Sequence, residues 1–331
     1  MTPTADEQPM SLDDFTRILR KPALIGVAVG TVYGIAARLA TLSTILGSVY
    51  GVMTVSFLFL VPVVIGYLTV FPVPQPSWKF RLLAPWVPVT LSVLVAWLVG
   101  WEGAICIVMG YPLLLILSSA GGMLGASLAR RLGPVVALVP FLLSPLERAL
   151  PVPVSLRRVE TAIRISAPPA RVWAQIVEVP AIAPDEQRPA LFTRMGFPRP
   201  ISATLSRPGV GGVRMARFEG GVLFVETITD WQAERLLRFS IRPETDSIPA
   251  TTLDRHVVVG GPYFNVLTGT YRIEPQDGGA VVLNLASELR VSTPFNFYSG
   301  PWADAIMRSI QANILEVVRR RAERAAQTAS R

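Results

Sequence analysis

Three stretches without a single charged residue limit how this chain can fold: Val52 to Val73, Leu82 to Trp101 and Gly103 to Ala129. The hydrocarbon core of a bilayer is about 30 Å thick, and about 20 mainly apolar helical residues cross it. Each stretch meets that length. Pro22 to about Leu46 is a fourth and weaker candidate, interrupted by Arg38 towards one end, where a long side chain can carry its charge to the headgroups. Four transmembrane helices are therefore expected. A cleaved signal peptide is the competing account of the first, with Arg17, Arg20 and Lys21 as its basic region and Ala36-Ala37 as a small-residue site. The 21 residues ahead of it are long for that role and carry four acids, which favours a retained helix.

Only 16% of the 331 residues are charged and 51% are hydrophobic. Ordinary soluble domains carry about 25% charged residues, so neither a wholly soluble globule nor a disordered chain fits. Cys106 is the single cysteine and His256 the single histidine. An intramolecular disulfide, a multi-cysteine metal site and a two-histidine zinc motif are excluded, and no metal or cofactor is expected. Nine basic residues face six acidic ones through residue 150, and the remaining excess of the net +8 lies after it. Scattered basicity of this kind, with no basic-aromatic surface, disfavours nucleic acid as a partner.

The positions of the basic residues orient the bundle. Arg17, Arg20 and Lys21 precede the first helix, Lys79 and Arg81 separate the second and third, and Arg130 and Arg131 follow the fourth. The opposite loops hold only Arg38 and Glu102. The positive-inside rule then places the N-terminus in the cytoplasm of a bacterial-type inner membrane. Four spans keep the rest of the chain cytoplasmic, which Arg148, Arg157 and Arg158 also favour. A further apolar stretch, Pro134 to Leu143, is of interfacial or re-entrant length. If it crosses, everything after it lies outside.

Gly26, Gly30 and Gly34 repeat at four-residue intervals on one helix face, as do Gly121 and Gly125. Small residues at this spacing let helices approach closely, either inside one bundle or across a homodimer. No ionisable group falls at the centre of a span, so transport is not indicated and the membrane half reads as an anchor or scaffold.

After Pro145 the texture changes. Val159 to Ile165 alternates as a strand does, Pro168 and Pro169 open a short helix over Ala170 to Val179, and a proline-bearing loop runs to Pro200. Strand patterns follow over Ile201–Ser206, Val213–Glu219, Val222–Trp231, Arg235–Arg242, Thr252–Val259, Val266–Glu274 and Ala280–Val291, punctuated by glycine-bearing turns. Trp302 to about Arg324 is an amphipathic helix with an apolar stripe that includes Ala303, Met307 and Val318. The expected architecture is thus a membrane all-α helical bundle followed by an α+β domain, a curved antiparallel sheet around a long C-terminal helix. A pocket between sheet and helix is the natural functional expectation.

Ile163-Arg164-Ile165-Ser166-Ala167-Pro168 followed by Val172-Trp173 resembles the start of the polyketide cyclase/dehydrase branch of the START-like (SRPBCC) superfamily. Phe224 to Trp231 before Arg238-Phe239-Ser240-Ile241, and Asn296-Phe297-Tyr298 before Trp302-Ala303-Asp304, are similar too. The resemblance covers about Arg157 to Glu323 and implies a helix-grip fold with a hydrophobic ligand cavity. It leaves turnover open, because the superfamily holds lipid carriers, receptors and cyclases alike. The expected organisation is a cytoplasmic tail (1–21), a transmembrane bundle (22–131), an apolar segment with a proline-rich linker (132–156), the START-like domain (157–324) and a tail (325–331).

Within that domain Glu226 shares strand parity with Val222, Phe224 and Ile228, so its carboxylate can point inward as a ligand anchor or a weakly indicated acid. An ion pair with a neighbouring arginine is the alternative. Tyr271, on the face of Leu267 and Ile273, can present its phenol to a ligand, with core packing as the favoured alternative, and Trp302 can line the cavity mouth. His256 is a further ligand-binding candidate, although parity with Leu253, Val257 and Val259 turns it outward. Asp304 is expected to serve a helix N-terminus. Arg319, Arg320, Arg321 and Arg324 are expected to complement a helix C-terminus, or else to meet anionic lipid. The functional expectation is a membrane-anchored protein that binds a hydrophobic small molecule or a membrane lipid. A cyclase- or dehydratase-like enzyme and a membrane scaffold are the alternatives.

Overall fold

A 31-residue helix, α1 (Leu12–Leu42), opens the computed structural model, which describes residues 12–42, 51–244 and 258–329. The backbone forms two units whose main boundary lies between Pro151 and Val152. In the first, the uncharged run from Val52 does not become a full-length span. A π-helical turn, Ser56–Leu60, leads into α2 (Val61–Val70), and Pro72, Pro74 and Pro76 prevent its continuation. Fifteen residues at 1.5 Å each reach about 22 Å, short of the hydrocarbon thickness. Helix α2 is uncharged for a different reason: Val61, Pro62 and every residue from Val64 to Val70 are buried, so this helix is enclosed by its neighbours. Among the described residues, three stretches are long and apolar enough to cross a membrane: Lys21–Leu42, Trp78–Leu98 and Ala104–Ser127. The middle one consists of α3 (Trp78–Leu83), capped by the Ser77 hydroxyl, and α4 (Trp86–Leu98). The last belongs to α5 (Ala104–Leu132).

The glycine faces are filled by the chain itself. A methyl group on Gly26 would stand 2.0 Å from the Thr69 carbonyl oxygen, and one on Gly34 2.6 Å from the Ser92 hydroxyl. Gly30 abuts Thr69 and Pro88. Gly121 meets the Val63 carbonyl and Gly125 that of Tyr67. These glycines therefore set the distances of α1 and α5 from α2 and α4. Arg38 does not simply reach for the headgroups: its Nε lies 2.7 Å from Glu102, and its Nη2 donates to the Trp101 carbonyl at 2.9 Å. Beyond Gly133, whose φ of +58° reverses the chain, a 3₁₀ turn (Gly133–Leu138) leads into α6 (Val139–Arg148).

The described residues of the second unit form a seven-stranded antiparallel sheet in the order β1-β7-β6-β5-β4-β3-β2. Its strands are β1 (Ser155–Ile165), β2 (Pro200–Leu205), β3 (Val213–Phe218), β4 (Leu223–Gln232), β5 (Leu236–Glu244), β6 (Phe264–Pro275) and β7 (Val281–Val291). The short helices α7 (Pro169–Val177) and α8 (Leu191–Arg194) lie between β1 and β2 in the chain, and the long α9 (Asn296–Ala329) follows β7. This is the helix-grip architecture. The expected strand over Thr252–Val259 falls mostly outside the described residues.

Inward residues of the sheet, among them Ile165, Ile228, Leu237, Ile273, Leu283 and Leu285, pack with Val172 and Ile176 of α7 and Leu315, Val318 and Ala322 of α9. Polar contacts register the helix on the sheet. The buried Gln311 accepts from Thr161 Oγ1 at 2.8 Å and donates to the Val159 carbonyl at 3.1 Å and to Ser287 Oγ at 3.0 Å.

Two expectations about α9 change, because the helix starts earlier and ends later than its apolar stripe. Asp304 lies two turns inside and forms a bidentate pair with Arg157, at 2.8 Å to Nε and 2.5 Å to Nη2. Arg319, Arg320 and Arg321 are not in the last turn. Arg319 and Arg320 pair with Glu316, and Arg321 binds Glu186 through Nε at 2.8 Å and Nη2 at 2.7 Å. Arg321 also donates to the Pro180 and Ala181 carbonyls, tying the loop after α7 to the helix.

Candidate functional site

The candidate site is built on four neighbouring strands whose register sets side chains opposite one another on the inward face. Arg214 of β3 is directly opposite Glu226 of β4, and Ile228 is opposite Phe239 of β5. Phe239 is opposite Gly269, and Leu237 opposite Tyr271 of β6. Opposed residues of an antiparallel pair share a face. Arg214, Glu226 and Tyr271 are 4%, 6% and 3% exposed, so two formal charges and a phenol lie inside an otherwise apolar layer.

Local sequence makes room for them. A Cβ on Gly269 would stand 2.4 Å from the Phe239 ring, so the absence of a side chain there lets the ring lie flat over β6. Phe239 in turn lies under the guanidinium of Arg214, 5.6 Å from ring centroid to Cζ, and stands 6.1 Å from the Tyr271 ring. A cation over an aromatic face replaces part of the hydration lost on burial.

The guanidinium Nη1 of Arg214 donates to the Glu226 carboxylate, and the Tyr271 hydroxyl stands within its hydrogen-bonding reach. Burial disfavours the cation, but Glu226 and Tyr271 outweigh it and hold the Arg214 pKa above its ordinary value. Burial pushes the Glu226 carboxyl up, opposed by the attraction of Arg214. The Tyr271 phenol is raised by burial as well. Arg214 Nε is buried without a hydrogen-bond partner among the described residues. An unpaired buried donor of this kind costs about 1–3 kcal/mol, and more when charged. It is a position an acceptor atom would satisfy.

Glu226 and Tyr271 are thus brought together, through an arginine that parity could have revealed: Arg214 alternates in phase with the inward Ala216. Trp302 lies elsewhere. Its indole pairs with the Tyr298 hydroxyl, and the adjoining Ala303 and Met307 pack on Val159, Val266, Leu289 and Val291. His256 lies outside the described residues. At the two ends of β4, Phe224 packs edge-on against Phe218 at 5.1 Å and Trp231 against Trp173 of α7 at 5.0 Å.

Residues 157–323 match the family model described as polyketide cyclase / dehydrase and lipid transport. Among similar solved structures are the Zhui aromatase/cyclase from Streptomyces sp. R1128 (16% identity, 52% of this chain, 96% of that chain, TM-score 0.34) and a truncated norcoclaurine synthase from Thalictrum flavum (15%, 50%, 96%, 0.31). A third is the Aha1 dimer from Colwellia psychrerythraea (13%, 50%, 96%, 0.29). At such identities and scores no ligand or reaction carries over. No curated protein sequence matches the chain.

Proposed function

The chain belongs to the polyketide cyclase / dehydrase and lipid transport family through residues 157–323, and from that premise we propose that its second unit binds a hydrophobic small molecule or lipid with a polar acceptor at one end. The buried Nε of Arg214, without a hydrogen-bond partner among the described residues, carries this reading. A carboxylate, phosphate or carbonyl oxygen would complete the hydrogen bonding of the guanidinium, with Tyr271 as a neighbouring hydroxyl and apolar sheet residues around the tail. The first unit acts as a membrane anchor with its N-terminal end cytoplasmic, supported by three helices long and apolar enough to cross and by the clustering of basic residues at one end. Anchoring raises the effective concentration of the binding unit beside membrane-borne ligand.

The test is native mass spectrometry of the detergent-purified full chain, with uptake of a fluorescent fatty acid from phosphatidylcholine vesicles. Wild type retains a small molecule or takes up the probe. Arg214→Lys, which keeps the charge and loses the planar fork, weakens uptake at least tenfold. Empty protein with no uptake overturns the reading.

A second reading, turnover with Glu226 as proton donor, is supported by the upward pull of burial on its carboxyl. Glu226→Gln would then abolish conversion of a bound ligand while leaving its affinity within about threefold. Equal loss of both favours binding alone.

A further inference from the structure

We propose that the second unit stands on the face of the membrane opposite the N-terminal basic cluster, so that its ligands come from that face. This rests on reading the first unit as membrane-spanning. Contacts within the first unit establish the direction of each segment. Gly26 meets Thr69 and Gly34 meets Ile65, so α2 runs antiparallel to α1. Gly30 meets Pro88 and Gly34 meets Ser92, so α4 runs parallel to α1. Gly121 meets Val63 and Gly125 meets Tyr67, so α5 returns alongside α2. One end of the bundle thus gathers the start of α1, the start of α3, where Lys79 lies, and the end of α5, where Arg131 lies. The other gathers Arg38 with Glu102 and the start of the helix at Ser56.

The apolar segment after α5 does not stay at the basic end. The Gly133 carbonyl accepts from the Tyr67 hydroxyl at 3.0 Å, close to that end. Four residues on, the Ala137 carbonyl accepts from Tyr33 at 2.9 Å, and Phe141 then packs edge-on against the Tyr33 ring at 6.1 Å. Glu147 finally reaches the far end, where its carboxylate accepts from the Val55 and Ser56 amides and, at 2.9 Å, from the Ser56 hydroxyl. From Tyr67 to Val55 is about 18 Å along the helix axis. Gly133–Arg148 itself, part 3₁₀ and part α, reaches about 27 Å, so it runs back along most of the bundle.

Its outward side belongs in lipid. Val135, Leu138, Leu142 and Leu146 are 55–72% exposed, and no charge occurs between Gly133 and Ser144. A helix lying in the headgroup plane would show a charged face instead. Glu147, the first charge, neutralises the free amides at the start of another helix, which is how a carboxylate is tolerated at the edge of a bilayer. The passes from one end of the bundle to the other are α1, the shorter and protein-enclosed α2, α3 with α4, α5 and this return segment. Their number is odd, so the chain leaves on the face opposite the one where it entered.

The experiment labels single cysteines in the full-length chain carrying Cys106→Ser, with a membrane-impermeant maleimide on intact cells and again after permeabilisation. Pro74→Cys reports the basic end, and Gln276→Cys reports the second unit; both positions are exposed. Opposite behaviour before permeabilisation, with Gln276→Cys labelled and Pro74→Cys shielded, is expected. Equal behaviour of the two, both shielded or both labelled, overturns the proposal while leaving ligand binding untouched. Release of the chain by carbonate washing overturns membrane anchoring itself, and this proposal with it.

Discussion

The two units handle charge in opposite ways. The first keeps its charges to its ends, where Arg38 meets Glu102 and Glu147 meets backbone amides. The second puts an arginine and a glutamate on adjacent strands in the middle of its inward face. Removing two charges from water costs several kcal/mol each, and their attraction repays this only with good geometry and further hydrogen bonds. Arg38 is desolvated too, at 6% exposed, and meets Glu102 and the Trp101 carbonyl. In the sheet interior both members of the pair are buried within one apolar layer, and the Arg214 Nε stays without a hydrogen-bond partner among the described residues. Stability alone does not call for such an arrangement, which is why the pair is the place to look for function.

The sharpest way to break this contrast is Arg214→Ala, which strands the Glu226 carboxylate. It should cost about 3–5 kcal/mol, read as a lowered thermal midpoint of the second unit. The double variant Arg214→Met/Glu226→Met should recover most of that loss without recovering ligand uptake. Full recovery of both would show the pair to be dispensable to binding.

Packing in the first unit supplies the next largest effect. Gly121→Val would push a side chain into the Val63 carbonyl, 1.9 Å from the added Cβ, and should cost about 1–3 kcal/mol in detergent unfolding. Gly110 lies in the same helix with nothing within 4 Å, so Gly110→Ala should be neutral or stabilising by up to about 1 kcal/mol. Equal effects at the two positions would sink the close-approach account.

The smallest effect is acid sensitivity of the second unit. Arg321 holds the Glu186 carboxyl at about 2, against an ordinary 4.5. A depressed carboxylate contributes stability above its unfolded value and loses it as pH falls, here from about 4.5 towards 2. Arg157 likewise depresses Asp304. Glu186→Gln should lower stability at neutral pH by about 1–2 kcal/mol and flatten the decline below pH 4.5, as followed by circular dichroism. An unchanged slope would assign the acid response to other groups.

Much of this molecule can be read along the chain. Uncharged runs mark the first unit, and strand alternation placed Glu226 on the inward face because side chains alternate with a period of two. Alternation turns Arg214 inward as well, but does not say that it meets Glu226. Arg214 is twelve residues away across a glycine turn, and only the β3–β4 register decides that the two are opposite. The same limit explains α2, whose composition is that of a membrane span although its neighbours rather than lipid enclose it.

By itself, then, the sequence determined the division into a nearly uncharged helical part and an α+β part, the order of elements, and the residue types available for chemistry. These follow from local hydropathy and periodicity, which depend on near neighbours in the chain. The tertiary structure alone decided that the glycine faces pack within the chain, that Arg214 is the buried partner of Glu226, and which way the segment after Gly133 runs. Each of those depends on a contact between distant residues, and a one-dimensional pattern leaves such contacts undetermined.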